Sequence, residues 1–150
     1  MASTPKITTI FAALRTLLLD NSQNPPSGPA IVPGLMDVIE NIPFDLMVTM
    51  PCANLVVNIE EFPQPENVVA TVTIEIHYVS GDGKTRSSEL RDICHAIRQV
   101  LNIAPQIGPS QAHLITGIRY RPPGTRLADG ALILTADIQL KIFYKEDWHG

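Results

Sequence analysis

Two stretches of the chain alternate apolar and polar residues with a period of two. Over Val68–Val79, the residues Val68, Ala70, Val72, Ile74, Ile76 and Tyr78 point one way, and Thr71, Thr73, Glu75 and His77 point the other. Over Ala131–Tyr144, Leu132, Leu134, Ala136, Ile138, Leu140 and Ile142 oppose Thr135, Asp137, Gln139 and Lys141. This is the signature of strands with one face in the core and the other wet or shared. Two further stretches repeat at helical spacing. Residues 4–20 carry Ile7, Ile10, Phe11, Leu14, Leu17 and Leu18 on one face, with Ser3 or Thr4 as cap and Pro5 at the first helical position. Residues 88–101 carry Leu90, Ile93, Cys94, Ile97 and Leu101, with Glu89 in the first turn, where the helix dipole favours an acid.

Shorter elements fill the intervals. Leu46–Met50 and Asn54–Glu60 read as strands separated by Pro51-Cys52-Ala53, Phe62–Asn67 as a turn, and His113–Tyr120 as a strand. The Asn/Pro/Ser/Gly-rich run 21–29 stops the first helix, and 121–130 is a polar loop. Residues 30–45 stay open, because Leu35–Ile39 fits either a short helical turn or a broken strand. The order predicts an α+β fold: a mostly antiparallel sheet with both helices on its apolar face, in a single domain spanning 1–150. Val72, Ile74, Ile76, Leu134, Ile138 and Leu140 should form the sheet side of the core, under Phe11, Leu14, Leu90 and Ile97.

Between the first alternating strand and the second helix stands Gly81-Asp-Gly-Lys-Thr85, which invites a nucleotide-binding reading. A phosphate-cradling loop needs a glycine five positions before Gly83, and Tyr78 occupies that place. Arg86 also separates the Lys84-Thr85 pair from the helix start, so the helix N-terminus would not face the anion. The segment reads as a connecting turn that binds no nucleotide.

Composition narrows the function classes. Hydrophobic residues at 45% and charged residues at 17% describe a chain with a real core, and aromatics at 5% leave that core to Ile, Leu and Val. A net charge of −4 gives no general support for binding nucleic acid through its phosphates. No apolar run approaches a membrane span and no signal peptide follows the N-terminus, so a soluble protein made in the cytoplasm is expected. The two cysteines, Cys52 and Cys94, fit neither a metal pair nor a redox pair and read as buried free thiols.

A search for catalytic chemistry returns little. His77, His95, His113 and His149 have no zinc-ligand spacing, and Cys94 and His95 point to different faces of their helix. Glu75 and Asp137 can approach each other across paired strands, but few aromatics are present to line a sugar cleft. Glu75, His77, Asp137 and Lys141 therefore read as a solvated or interfacial sheet face. No enzyme activity and no cofactor are expected. Long polar loops at 21–34, 80–87 and 121–130 suit contacts between subunits instead.

Three segments carry a resemblance: the strand Met50-Pro-Cys-Ala-Asn-Leu-Val-Val-Asn-Ile-Glu60, the strand–helix pair 69–79 and 88–101, and the closing run Ala128–Tyr144 with its Leu-Thr-Ala-Asp-Ile-Gln-Leu-Lys-Ile. With the N-terminal helix Lys6–Leu19, their order resembles the tail-terminator proteins of long-tailed bacteriophages over most of the chain apart from 21–45. The resemblance implies a virion protein, assembled in the host cytoplasm, that sits at the head-proximal end of the tail. It would form a hexameric ring that caps the finished tail tube, stops its growth and offers the surface for head attachment. The implied partners are other copies of the chain, the tail-tube protein, a head–tail connector or neck protein, and a tail sheath if the tail contracts. DNA would pass through the lumen without sequence specificity. No catalytic residues are implied. Candidates for the subunit interface or lumen are Arg119, Arg121, Arg126, Lys84 and Arg86, with Glu60 and Glu61 as acidic counterparts. The alternatives are another neck or tail-completion protein, a small nucleotide-binding enzyme using Lys84 and Thr85, or a chaperone-like domain.

Overall fold

The computed structural model describes residues 4–23, 30–43, 49–80, 87–103, 107, 111–122 and 132–146. Among them the elements run α1 (Lys6–Gln23), β1 (Asp37–Glu40), β2 (Cys52–Gln64), β3 (Asn67–Ser80), α2 (Ser87–Ile103), β4 (Gln111–Tyr120) and β5 (Leu132–Lys145). The strands form one five-stranded sheet in the order β1-β2-β3-β5-β4. β1 runs parallel to β2, and every other neighbouring pair is antiparallel. The α+β arrangement expected from the sequence is the one observed.

The alternation of β3 and β5 sets the layers. Their register pairs Val72 with Leu140, Ile74 with Ile138 and Ile76 with Ala136, so the two apolar stripes lie side by side. Ile74, Ile76 and Ile138 are fully buried, and Phe11, Leu14, Leu90 and Ile97 close over them in one core cluster. Burial of each such side chain stabilises the fold by roughly 1.5–3 kcal/mol. Both helices therefore lie on the same sheet face.

The ends of α1 are tied down by polar contacts. Its first turn meets the end of β5, where the Glu146 carboxylate accepts from the Lys6 amide at 3.3 Å and Lys6 Nζ donates to the Lys145 carbonyl at 2.8 Å. A carboxylate there satisfies a free helix amide and complements the dipole. At the other end the helix runs on to Gln23, past the expected stop at Asn21. Asn21 is buried and its Nδ2 donates to the Leu17 carbonyl at 2.9 Å, while its own carbonyl accepts from the Ile31 amide at 3.0 Å. Gly34 then passes so close that a Cβ there would meet the Ser22 carbonyl oxygen at 2.9 Å.

The open segment 30–45 resolves in part. Ile31 and Leu35 plug the core, and Asp37–Glu40 is a strand, parallel to Cys52–Leu55. Arg15 anchors it to α1, with Nε to the Val38 carbonyl at 3.0 Å and Nη2 to Asp37 at 3.2 Å. Asn41 ends it at a φ of 49°, a left-handed conformation that Asn tolerates. The expected strand Leu46–Met50 is not seen at Thr49 and Met50, which are bends, and residues 46–48 lie outside the described residues. The Pro51-Cys52-Ala53 break is likewise replaced, since β2 begins at Cys52. β2 also runs to Gln64, so the expected turn shrinks to Pro65-Glu66.

Candidate functional site

On the face away from the helices, the register aligns polar residues in rows across the sheet. Asn54, Glu75, Asp137 and Arg119 share one row, and Cys52, His77 and Thr135 share the next. Arg121, just beyond β4, lies over both. Its Nε and Nη2 donate to the two Asp137 carboxylate oxygens at 2.8 and 2.7 Å, and Nη2 also reaches Glu75 at 3.1 Å. This fork-on-carboxylate geometry is the strong form of an ion pair. Asn54 donates to Glu75 at 2.9 Å and clamps the backbone of Ile42 through both its amide oxygen and nitrogen, at 3.0 and 3.1 Å. His77 Nε2 stands 3.3 Å from Glu75 and its Nδ1 is 3.4 Å from the Thr135 hydroxyl. The tautomer with hydrogen on Nε2 satisfies both contacts.

The centre of this face is dry. His77 is 4% exposed and Asp137 5%, whereas a solvated or interfacial face was expected. The cause is the cover supplied by the Arg121 side chain and the Ile42 backbone, neither of which has a periodic signal. Lys141 and Glu75 are half-buried.

The electrostatics describe a closed network. Burial acts to raise the Glu75 pKa, yet hydrogen bonds from Asn54, His77 and Arg121 outweigh it and hold the carboxyl below its ordinary value. Burial lowers His77, against the pull of Glu75. The bond to Asp137 raises the Arg121 pKa further. A permanently charged guanidinium bridges both carboxylates.

Sequence spacing pointed to Cys94 and His95 as the pair to test, but it is Cys52 that stands opposite His77 in neighbouring strands. Only the β2–β3 register, invisible in the linear chain, brings them together. The pair is not a nucleophile. Burial, then the charges of Asp37 and Glu75, push the Cys52 thiol up to about 11, the opposite of what a reactive thiolate requires. Cys94 is pushed up to about 12 by burial. Both cysteines are buried. Among the described residues, no group of three or more His, Cys, Asp or Glu side chains can hold a metal ion, and no helix is long and apolar enough to cross a membrane.

The interface candidates fall into separate places. Glu60 and Glu61 are exposed on the outer half of β2, with Glu60 accepting from the Tyr144 hydroxyl at 3.3 Å. Arg119 is exposed on β4, at the opposite edge of the sheet. Arg121 is engaged within the chain by Asp137 and Glu75. Lys84, Arg86 and Arg126, and with them the Gly81–Thr85 turn, lie outside the described residues. Sequence reasoning missed Arg91 and Arg98, exposed on α2 and seven residues apart on one helix side. Arg98 lines a shallow cleft with Ile115–Ile118 of β4.

No protein-family model matches the chain, and no curated protein matches it. Among solved structures it is similar to a chain of the "Virion of native gene transfer agent (GTA) particle", with 10% identity and a TM-score of 0.37 over 73% of this chain and 78% of that one. A likeness at that level carries no argument about function.

Proposed function

We propose that the protein is a structural virion component that self-assembles into a ring and caps the tail tube, as a tail terminator. The observation that carries the reading is the outer half of β2. Beyond Leu55 this strand leaves the cover of β1, and from Val57 to Gln64 every residue is exposed, including Val57, Ile59 and Phe62. A strand edge with uncovered large apolar side chains is an aggregation hazard unless a specific partner covers it. The closed Arg121 network and the raised thiol pKa values favour an assembly role over catalysis. The ring would sit at the head-proximal end of the tail, between the tube protein and a neck protein, with DNA passing through it.

Electron microscopy of the purified chain, alone and mixed with tail tubes, tests this. Rings that decorate one tube end are expected. Rings that ignore tube ends would point to another neck component, and particles that neither form rings nor bind tubes would overturn the reading.

A further inference from the structure

The two free edges of the sheet are chemically unlike. One edge is the outer half of β2, which carries exposed Glu60 and Glu61 beside exposed Ile59 and Phe62, with no basic residue anywhere in the strand. The other is β4, where Arg119 and exposed Leu114 lie on the face away from the helices, and Arg91 and Arg98 of α2 flank the same edge on the helix side. Of the two acids on that helix, Asp92 is exposed and Glu89 half-buried. Each edge also borders a shallow cleft: Glu61, Phe62, Pro63 and Val69 line one of about 340 Å³, and Arg98 with Ile115–Ile118 lines one of about 260 Å³.

Resting on the ring reading, we propose that copies join head to tail, the acidic β2 half-edge of one docking on the basic β4–α2 edge of the next. Three observations support it. The first is charge: an isologous contact of either edge with itself would oppose like charges, whereas the heterologous contact pairs opposite ones. The second is strand polarity. β2 and β5 run one way and β3 and β4 the other, so a rotation about an axis along the strands brings β4 against the neighbour's β2 antiparallel, with the helices kept on one side.

The third is the position of β1. It occupies β2 at Cys52–Leu55, the level of Arg119, which shares the Asn54 row. An incoming β4 must therefore slide toward the hairpin tip, which carries Arg119 toward Glu61. A stagger of this kind is what a closed sheet requires. Register breaks at Val57/Ile59 and Glu61/Gln64 and the missing amide of Pro63 deter indiscriminate strand addition. Recognition then lies in side chains: carboxylates against guanidinium groups, and Ile59 and Phe62 against Leu114 and the cleft at Gly117.

The test measures native mass by light scattering for the parent and three variants, each checked for a parental circular dichroism spectrum. Glu60→Arg/Glu61→Arg alone and Arg98→Glu/Arg119→Glu alone should each fall to the mass of one chain. Mixed in equal amounts, they should recover an alternating assembly, because the reversed β2 edge of one variant meets the reversed β4 edge of the other, and their two intact edges meet likewise. Gly117→Tyr is independent of charge: a Cβ at Gly117 meets nothing within 4 Å, so the added ring stands out from the β4 edge without disturbing the chain, and it too should lose assembly. If the parent assembles and the variants keep its mass, or if mixing fails to restore assembly, the edge contact is wrong while the ring survives. A parent that stays monomeric at every soluble concentration, with or without tail tubes, overturns both.

Discussion

Asp137 and Arg121 show how one residue pair can decide the state of a whole sheet face. Asp137 is 5% exposed, so its charge is tolerable only because the Arg121 fork supplies two hydrogen bonds. Truncating Arg121→Ala leaves a buried carboxylate without its main partner and should cost on the order of 1–3 kcal/mol, at the lower end for buried pairs because Arg121 itself is partly in water. Urea titration measures it, and an unchanged midpoint would mean that water replaces the guanidinium at no cost. Arg121→Lys should recover only part of the loss, since an ammonium cannot reproduce the fork. The same cluster sets a pH dependence. Folded His77 and folded Glu75 both have pKa values below their ordinary 6.5 and 4.5. In each window the unfolded chain binds more protons, so the stabilisation is complete above the ordinary value and is lost as pH falls below it. Stability should therefore decline below about pH 6.5 as His77 charges, and decline again in the Glu75 range. A urea midpoint that stays flat from neutral pH to pH 4.5 contradicts this.

At the scale of elements, the β3–β5 pair carries the fold. Ile138 sits opposite Ile74, both at 0% exposure, beneath the helices. Ile138→Ala should cost about 2–5 kcal/mol through lost burial and the cavity left behind. The chemical-denaturation midpoint reads it, and a parental value would mean the strand faces are inverted by a one-residue slip. This face was legible in the sequence because nine residues in each strand, 70–78 and 134–142, alternate without interruption, and α2 was legible from its 3.6-residue period. Elements held by long-range contacts were not. β1 is a four-residue strand whose partners, Cys52–Leu55, lie well downstream, and nothing local distinguishes Asp37–Glu40 from a turn. The last turn of α1 was hidden by the polarity of Asn21-Ser22-Gln23, although Asn21 satisfies the helix from within by bonding to Leu17. The candidate residues were legible as residue types but not as a geometry. Arg119 and Arg121 look equivalent in the chain, yet one is held by two acids and the other is exposed at the sheet edge. The sequence pattern also gave no sign that Cys52 faces His77, because a two-strand register decides it.

For the whole molecule, the basic edge formed by Arg91, Arg98 and Arg119 has a competing use, which is to hold DNA. Magnitudes decide against it. Affinity for duplex DNA falls with salt at a slope of about −0.9 per phosphate neutralised, so even three contacts would lose roughly 40-fold between 50 and 200 mM salt. The rest of the chain opposes binding, since its net charge is −4. In an assembled ring the same arginines would face Glu60 and Glu61 of the neighbouring copy and be withdrawn from DNA altogether. A ring through which DNA must pass gains from this, because a strong phosphate grip would stall the duplex. The assembled protein should therefore show no saturable binding to a short labelled duplex at roughly 0.15 M salt, measured by fluorescence anisotropy. The unassembled Glu60→Arg/Glu61→Arg form, whose β4 edge is free and whose β2 edge is now basic, should bind weakly at low salt and release DNA as salt rises. Tight binding by the assembled parent, with a salt slope steeper than about −3, would identify a dedicated DNA surface that this edge chemistry does not contain.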